Sequence, residues 1–534
     1  MTTPETTDEA EDPIRVGSFF LETLTTGMYE NAFHCIREYV QNSYDAIREA
    51  VRTELIKDGE GRVLIAVGTS GRSQSLSVRD NGTGIPVNQA FTALVSLGAS
   101  HKSPMSHAGF RGIGRLAGIA YCSTLRFKTK AKGEQNGTAV EFDCGHIRGY
   151  LTPGSEPVDV RKVISASVKS TTFSESEDAH YTEVEMLGLI GLGLEFVQME
   201  KLQPYLRQVC PVTYADNFDY ADRIRALAAS FDDTLGVIEV ETRLRRERVS
   251  IHKPYKNSAA AGKDDTSTLF DIEPITSQEH GWYGWLGLSN FAGEIADDTV
   301  AAPRFRVQNI QIGDSRIIMD IAERLTRSGS ERRLMRWAVG EIFVTNRQVV
   351  PNARRDGFED TQAWRDIKDD IQEQVAKRLV KLIRGASSSR SAMKRINNGF
   401  EALQEDVDRP EMSLDEKKRL QLEIKKQLDK LASEKLAGAD PKEISNLISK
   451  FKELQEKLAK ISTKEPTPPS PTVDTPPDDS PHEEEPERGE ENSRVGESPP
   501  APGVLDVVLE VLAEELGDDE AQRLLDIIVS RLND

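Results

Sequence analysis

Cysteine is scarce in this 534-residue chain, and the few cysteines present are far apart. Cys35, Cys122, Cys144 and Cys210 form no C-x-x-C pair, and no histidine cluster accompanies them. Disulfide frameworks and structural zinc sites both depend on such spacing. The sequence therefore predicts a reducing compartment and gives no support for a zinc site.

Long apolar runs are also lacking, since none approaches the roughly 20 residues that a membrane-spanning helix requires. The N-terminal residues contain no apolar core of the kind found in secretory signal peptides. We therefore expect a cytoplasmic protein that has no membrane partner.

Positive charge is the third shortage, because the formal net charge is -20 at pH 7. Proteins that bind nucleic acid mainly through its phosphates need a basic surface, so broad binding of this kind is not expected. Residues 465–503 hold eleven acidic side chains against two arginines, which is nearly half of the excess negative charge. A local basic patch on the folded part stays compatible with these numbers, and DNA is a partner that the charge does not imply.

The most informative pattern lies in residues 37–46, REYVQNSYDA, where apolar residues at helical spacing predict a helix. On such a helix Glu38 and Asn42 are one turn apart and Asp45 follows on the same face. The Asn42 amide oxygen suits a Mg²⁺ shell that phosphates and water otherwise fill. The Glu38 carboxylate, one turn away, suits the removal of a proton from an attacking water.

Two glycine-rich motifs follow this helix at a distance. DNGTGI, residues 80–85, comes directly after a strand-like run, and GFRGIGRLAG, residues 109–118, opens an apolar helical segment. Each motif alone is weak evidence, but their order after an acid–Asn–Asp helix is specific. The arrangement resembles the nucleotide-binding (Bergerat) fold of the GHKL superfamily, which includes gyrase, the ninety-kilodalton heat-shock chaperone, histidine kinases and MutL.

The resemblance implies an ATP site with a bound Mg²⁺ ion. In that family the aspartate at the Asp80 position accepts a hydrogen bond from the adenine amino group, and the glycine at the Gly84 position lets the backbone approach the base. Asn42 would then bind the metal and Glu38 would activate water. The other nucleotide-binding positions implied are Asp45, Gly82, Lys102, Gly109, Phe110, Arg111, Gly112, Ile113, Gly114 and Thr182.

Two of these positions depend on local context. Lys102 lies in residues 92–108, which are predicted to form a lid, and it would reach a phosphate from there. Thr182 matches the threonine of the family's closing strand, but Tyr181 stands where the family usually has glycine. Gly137-Thr138 carries that glycine–threonine pair one strand earlier and is the competing match.

Residues 191–388 are expected to form a second, α/β unit with alternating strand-like and helical stretches. This unit resembles the middle domain that follows the ATPase in chaperones, gyrase and MutL, where a basic residue reaches the γ-phosphate once the lid has closed. In the run VVPNARRDGFED, Asn352 and Arg355 match the chaperone's asparagine–x–x–arginine turn, with Arg354 as the adjacent alternative.

The remaining chain carries no catalytic motif. Residues 389–464 are predicted to contain two capped helices, and the second has the apolar spacing of a coiled coil that either folds back or dimerises. Residues 465–503 are rich in proline, glutamate and serine and are predicted to be a disordered linker, as are residues 1–13 at the other end. Residues 504–534 predict a small helical module that docks on its own chain, a second copy or another partner.

The fold class predicted is therefore α+β: an N-terminal Bergerat-fold ATPase sandwich over residues 14–190, a middle domain and a C-terminal helical region. Only about three dozen residues precede the Asn42 helix, which leaves no room for the phosphoacceptor helix pair of a histidine kinase. The chaperone's leading helices are the closest resemblance.

The function predicted is a slow, Mg-dependent ATPase that acts as a conformational switch, driven by lid closure and by domain docking or dimerisation. Two alternatives stay open at this stage. One is an ATP-dependent DNA clamp of the MutL or MORC kind, and the other is a non-catalytic nucleotide sensor that recruits an effector protein, as in bacterial defence or stress responses.

Overall fold

The computed structural model describes Gly17 and residues 31–70, 73–96, 114–151, 158–325, 329, 331–409, 412–432, 436 and 439–464. Most of the predicted lid, the acidic N-terminal tail, the proline-rich linker and the 504–534 module lie outside these ranges. Within the described ranges no helix has the length and apolar character needed to cross a membrane.

The first part of the chain folds around an eight-stranded sheet. Its helices and strands are α1 (His34–Arg52), β1 (Arg62–Ser70), β2 (Ser73–Asp80), α2 (Val87–Val95), β3 (Cys122–Lys130), β4 (Asn136–Asp143), α3 (Cys144–Gly149), α4 (Val160–Ser167), β5 (Val168–Ser174), β6 (Tyr181–Leu189), α5 (Met199–Val209), β7 (Glu239–Leu244) and β8 (Glu247–Ser250). Short 3₁₀ segments at Gly114–Ala120 and Gly191–Val197 connect them. The helix α6 (Ala221–Ala229) lies between α5 and β7 in the chain but packs against Tyr283 and Trp285 of the second sheet.

The strand order in this sheet is β5-β4-β3-β6-β2-β1-β7-β8. All neighbours are antiparallel except β1 and β7, which run parallel. The helix α1 buries Ile36, Val40 and Ile47 against the sheet, because these residues recur at helical spacing on one face. Since β7 and β8 extend this sheet to Ser250, the structure places them with the ATPase-like part, beyond the predicted boundary at residue 190.

A second sheet of six strands has the order β13-β12-β14-β11-β10-β9. Its elements are β9 (Ser258–Ala261), β10 (Asp265–Ser277), β11 (Trp282–Ser289), β12 (Arg304–Val307), β13 (Ile310–Ile312), α7 (Arg316–Glu323), α8 (Glu331–Leu334) and β14 (Gly340–Val344). Five of its strands come before α7 and α8 and one follows them, and together with the first sheet these elements confirm the α+β class.

Helices form the rest of the described chain: α9 (Gln362–Ile371), a π-helical turn at Gln372–Ala376, α10 (Lys377–Val407), α11 (Leu414–Leu431) and α12 (Pro441–Lys460), with short paired strands β15 (Met412–Ser413) and β16 (Thr463–Lys464). Ser413 and Glu416 form the predicted capping box, and the Asp440 side chain caps α12. The apolar seam of α12 packs on α10 and α11, so it folds back within the chain. One continuous helix, α10, crosses residue 388, where the sequence predicts a domain boundary.

Candidate active site

Glu38 lies near the start of α1 and is 9% exposed. Its Oε2 atom faces Gly114, the third glycine of the second motif, so closely that a Cβ atom at Gly114 would overlap it. A side chain at this position would therefore displace the carboxylate. The structure thus brings together two residues that the sequence separates by 76 positions, and it explains the glycine at 114 by close approach rather than by backbone conformation.

The segment after Gly114 is fixed to α1 by Tyr39. The Tyr39 hydroxyl donates a hydrogen bond to the Arg115 carbonyl at 3.1 Å and accepts one from the Gly118 N–H at 3.0 Å. Tyr39 is buried, so both bonds are shielded from water. The sequence does not predict this role of Tyr39, because an aromatic side chain next to Glu38 is typical of the apolar face of a helix.

The other oxygen of Glu38 faces two arginines. Its Oε1 atom lies 3.4 Å from Arg37 Nη2 and 3.9 Å from Arg355 Nε. Arg355 belongs to the turn between β14 and α9, so the second sheet supplies a cation to the carboxylate of the first. All three side chains are largely buried, which strengthens their electrostatic interaction.

The turn that carries Arg355 holds it in an uncommon backbone conformation. Arg355 has a φ of +55°, and its N–H donates to the Asn352 carbonyl at 3.1 Å while its own carbonyl accepts from Gly313 N–H at 2.8 Å. A non-glycine residue in this region is strained and persists only where surrounding contacts impose it. Arg354, the alternative, has an exposed side chain and offers its carbonyl to Arg37 Nη2 at 3.0 Å.

Asp80 ends β2 and is 5% exposed. Its Oδ1 atom accepts hydrogen bonds from Gly82 N–H at 2.9 Å and Thr182 N–H at 3.2 Å. Burial raises the pKa of the Asp80 carboxyl to about 6, against the opposing effect of these N–H groups and of the Ser43 hydroxyl. Ser43 follows Asn42 on α1 and was missed, because nothing in the sequence shows that it reaches Asp80.

The glycines of the first motif permit close packing of the loop. A Cβ at Gly82 would lie 2.6 Å from Ala46 Cβ, and Thr83 N–H donates to the Ala46 carbonyl at 3.3 Å. Gly84 has a φ of +65°, and a Cβ there would overlap the Lys130 carbonyl. The resemblance attributes Gly84 to approach of the base, whereas the approach seen in the structure is to the backbone of β3.

The two candidate threonines occupy different strands. Thr182 lies on β6 beside Asp80, and its hydroxyl is 3.2 Å from that of Thr129. Thr138 lies on β4 and is separated from β6 by β3, and its buried hydroxyl has no hydrogen-bond partner. The geometry therefore favours Thr182 as the threonine of the site. His180, which sequence reasoning did not single out, accompanies it, with Nδ1 2.9 Å from the Gly82 carbonyl oxygen.

Asn42 and Asp45 lie on α1 one and two turns beyond Glu38. Asn42 is half-buried and Asp45 is 5% exposed. Among the described residues, no group of three or more histidine, cysteine, aspartate or glutamate side chains is placed to hold a metal ion. A single amide oxygen at Asn42 fits a Mg²⁺ ion that arrives with its nucleotide, since such ions keep phosphate and water as most of their ligands.

The remaining predicted nucleotide contacts lie outside the described residues. These are Lys102, Gly109, Phe110, Arg111, Gly112 and Ile113.

Comparison with known proteins agrees with this geometry. Residues 29–171 match the family model described as histidine kinase-, DNA gyrase B- and HSP90-like ATPase. No curated protein matches the chain. The matched segment contains α1, the strands through β4 and most of β5, and both glycine-rich motifs, and it supports assignment to the GHKL superfamily. The chain therefore carries an N-terminal GHKL-like ATPase domain, followed by the second sheet and a long C-terminal helix.

Proposed function

We propose that this protein is a Mg-dependent ATPase that works as a chaperone-like conformational switch, with Glu38 as its general base. The observation that carries the proposal is the position of the Glu38 carboxylate, between Gly114 of the phosphate loop and Arg355 of the second sheet. A carboxylate in contact with both parts can act only when the two parts are docked, which couples chemistry to conformation.

Asp80 selects the nucleotide in this proposal. Its Oδ1 atom already accepts two backbone N–H groups, and the carboxylate keeps lone pairs for the adenine amino group. Guanine presents a carbonyl oxygen at the equivalent edge and would face a buried acceptor without a donor. ATP is therefore the expected nucleotide, with Thr182, Gly82 and Gly84 shaping the pocket around it.

Asn42 is the residue proposed to hold Mg²⁺, with Asp45 one turn further along α1. When bound, the ion neutralises charge on the phosphates and orients them. The protein's own part is to place Glu38 one helical turn from Asn42, close to the phosphates.

Hydrolysis converts ATP and water to ADP and inorganic phosphate. Glu38 accepts a proton from the attacking water as the water oxygen bonds to the γ-phosphorus and the bond to the β-bridging oxygen breaks. Arg355, whose Nε lies 3.9 Å from Glu38 Oε1, is the cation from the second-sheet part of the chain that would stabilise the charge developing on the phosphate. Its strained backbone supports a functional role, since such strain is typical of residues held for chemistry.

The test is steady-state ATP hydrolysis by wild type and Glu38→Ala, with nucleotide affinity measured in parallel. We expect turnover to fall by about 10²–10⁴-fold, because a general base contributes that much, while ATP affinity stays within a few-fold. Glu49→Ala, on the same helix but paired with Arg52, is the matched control and should keep wild-type turnover.

Size-exclusion chromatography of the same proteins in ATP tests the switch. A compact or dimeric species trapped in Glu38→Ala would support ATP-driven closure. Nucleotide binding without turnover in the wild type would contradict the proposed ATPase activity and would favour a non-catalytic nucleotide sensor. ATP-dependent retention of duplex DNA at physiological salt would favour a clamp instead.

A further inference from the structure

A cavity of about 410 Å³ lies on the side of Glu38 away from Gly114. It is enclosed by residues of α1, of α5, of the segment that follows β13 and of the turn that carries Arg355. Its charged lining residues are Arg37, Arg316, Arg354, Arg355, Asp314 and Asp356. The mechanism above uses only one of these, Arg355.

The charges in this lining favour an anion. Four guanidinium groups face two carboxylates of the lining and the Glu38 carboxylate that contacts Arg37 and Arg355, which leaves a net charge of +1 (four minus three). Asp314 is paired with Arg316, with Nη2 to Oδ2 at 3.0 Å, and Asp356 accepts a hydrogen bond from the Asn352 amide at 2.6 Å.

Unsatisfied buried groups give independent evidence for a ligand. Arg37 is 5% exposed, and its Nε–H has no hydrogen-bond partner. Gln311, 3% exposed, donates through Nε2 to the Gly313 carbonyl, but its Oε1 atom has no partner. Buried polar groups are normally paired, and both unpaired atoms belong to residues that line the cavity, so a ligand that accepts and donates hydrogen bonds would pair them once these side chains turn toward it. Hydrogen phosphate is such a ligand, because it accepts from guanidinium and donates through its remaining O–H.

Glu38 lies between Gly114 and two arginines that line this cavity. Its Oε2 atom faces Gly114, while its Oε1 atom faces Arg37 and Arg355, which both line the cavity. An anion that passes Glu38 would meet four arginines, of which only Arg355 is also proposed to contact the nucleotide.

We propose that this cavity is a binding site for inorganic phosphate, separate from the nucleotide pocket. The phosphate released from ATP is its natural source, an assignment that rests on the proposed function, and phosphate from solution is the other source. The site would hold the product while Arg355 is still bound to Glu38, so that release of phosphate and separation of the two sheets are linked.

Equilibrium binding of inorganic phosphate to the full chain tests the site without reference to ATP hydrolysis. Titration calorimetry, with and without saturating Mg·ADP, should find one phosphate site that persists with ADP present. Two variants change the charge of the cavity without touching residues assigned to catalysis. Arg316→Gln removes a cation, and Asn31→Asp adds an anion while keeping the oxygen that accepts from Phe33 N–H at 2.9 Å.

We expect both variants to weaken phosphate binding at least tenfold. Arg324→Gln, at the opposite, exposed end of α7, is the matched control and should bind like wild type. Circular dichroism and thermal melting establish that each variant is folded. Unchanged phosphate affinity in folded Asn31→Asp and Arg316→Gln would overturn the proposal, and so would complete loss of phosphate binding when ADP fills the nucleotide pocket.

A single-turnover experiment identifies the source of the phosphate. ADP formation is followed by rapid quench, and free phosphate by a fluorescent phosphate-binding protein. Arg316→Gln should leave ADP formation unchanged and release phosphate at least fivefold faster, because the cavity holds it less tightly. Identical release, with weakened equilibrium binding, would refute the product source and assign the site to phosphate from solution. If ATP is not hydrolysed at all, the proposed function fails while the equilibrium titration still decides whether the site exists.

Discussion

Burial in the folded protein favours the protonated form of Asp80, whereas the proposed contact with adenine requires its carboxylate. Burial raises its pKa to about 6, above the ordinary value of 3.8, so the folded state binds more protons than the unfolded chain between these values. The free energy of unfolding contributed by this group therefore falls as pH rises from about 4 to 6. The proposed adenine contact has the opposite requirement, because only the carboxylate is free to accept from the amino group.

The pH dependence of nucleotide affinity follows from this conflict. We expect ATP affinity to weaken about tenfold per pH unit below pH 6, as the acceptor is protonated. Inosine triphosphate, with a carbonyl oxygen in place of the amino group, should instead gain affinity as Asp80 becomes a donor. Both affinities are measured by calorimetry from pH 5 to 8. Protonation of the triphosphate changes them equally, so their ratio reports only on the base contact. A ratio that does not change with pH would contradict the role of Asp80.

Gly114 allows a prediction that separates binding from chemistry. In Gly114→Ala the new methyl group would overlap Glu38 Oε2 and push the carboxylate from its position. Displacement of the general base lowers the catalytic rate more than the ATP affinity, so we expect turnover to fall about 10²-fold with a small change in ATP affinity. Gly149→Ala is the control, since a Cβ there meets nothing within 4 Å, and kinetics of both variants would be compared with Glu38→Ala. Wild-type turnover in Gly114→Ala would show that the close approach has no catalytic importance.

At the scale of elements, the turn after β14 gives two neighbouring arginines different positions, and only Arg355 has its side chain near Glu38. Arg355 directs its side chain toward Glu38, whereas the Arg354 side chain is exposed and its carbonyl makes the contact. We expect Arg355→Gln to lower kcat by about 10²–10³-fold, the range for loss of one group that stabilises developing charge. Arg354→Gln is the matched neighbour and should retain at least half of the wild-type kcat in the same assay. A larger loss in Arg354→Gln than in Arg355→Gln would reverse the assignment.

The elements also show what could be predicted from the sequence. Local patterns suffice for α1, for β1 and β2 and for the caps at Ser413 and Asp440, because helical spacing, alternation and capping are properties of neighbouring residues. The spacing of Glu38, Asn42 and Asp45 on one helix is equally local. The segment that matches the ATPase family model, residues 29–171, contains the same motifs.

Contacts between distant segments could not be derived in this way. No local pattern shows that Gly84 approaches the Lys130 carbonyl, or that β7 and β8 join the first sheet. Ser43 and Tyr39 acquire their roles only when β2 and the 114–120 segment pack on α1. Arg355 was found by resemblance, and its contact with Glu38 required the structure.

At the scale of the whole molecule, one helix connects two apolar cores. The first half of α10 buries Leu379 and Ile383 against the second sheet, and its second half buries Ile396 and Leu403 in a three-helix cluster with α11 and α12. Motion of the second sheet would therefore be carried to the C-terminal helices by a rigid element. This connection is why the predicted boundary at residue 388 does not mark a break in structure.

The helical cluster is nevertheless expected to be energetically separable from the site, because its core shares no residue with that of the first sheet. Phe451 is fully buried there and packs edge-on against Phe400 at 5.1 Å between ring centres. Phe451→Ala should destabilise the cluster by about 3–5 kcal/mol, as truncation of a core phenylalanine does. Hydrogen exchange should then increase in α11 and α12, while α1 and single-turnover ADP formation stay as in the wild type. The exposed Leu422→Ala on α11 is the control for an apolar truncation without a cavity. If exchange rises equally in α1, the C-terminal helices and the ATPase part unfold as one cooperative unit, and α10 couples them in stability as well as in geometry.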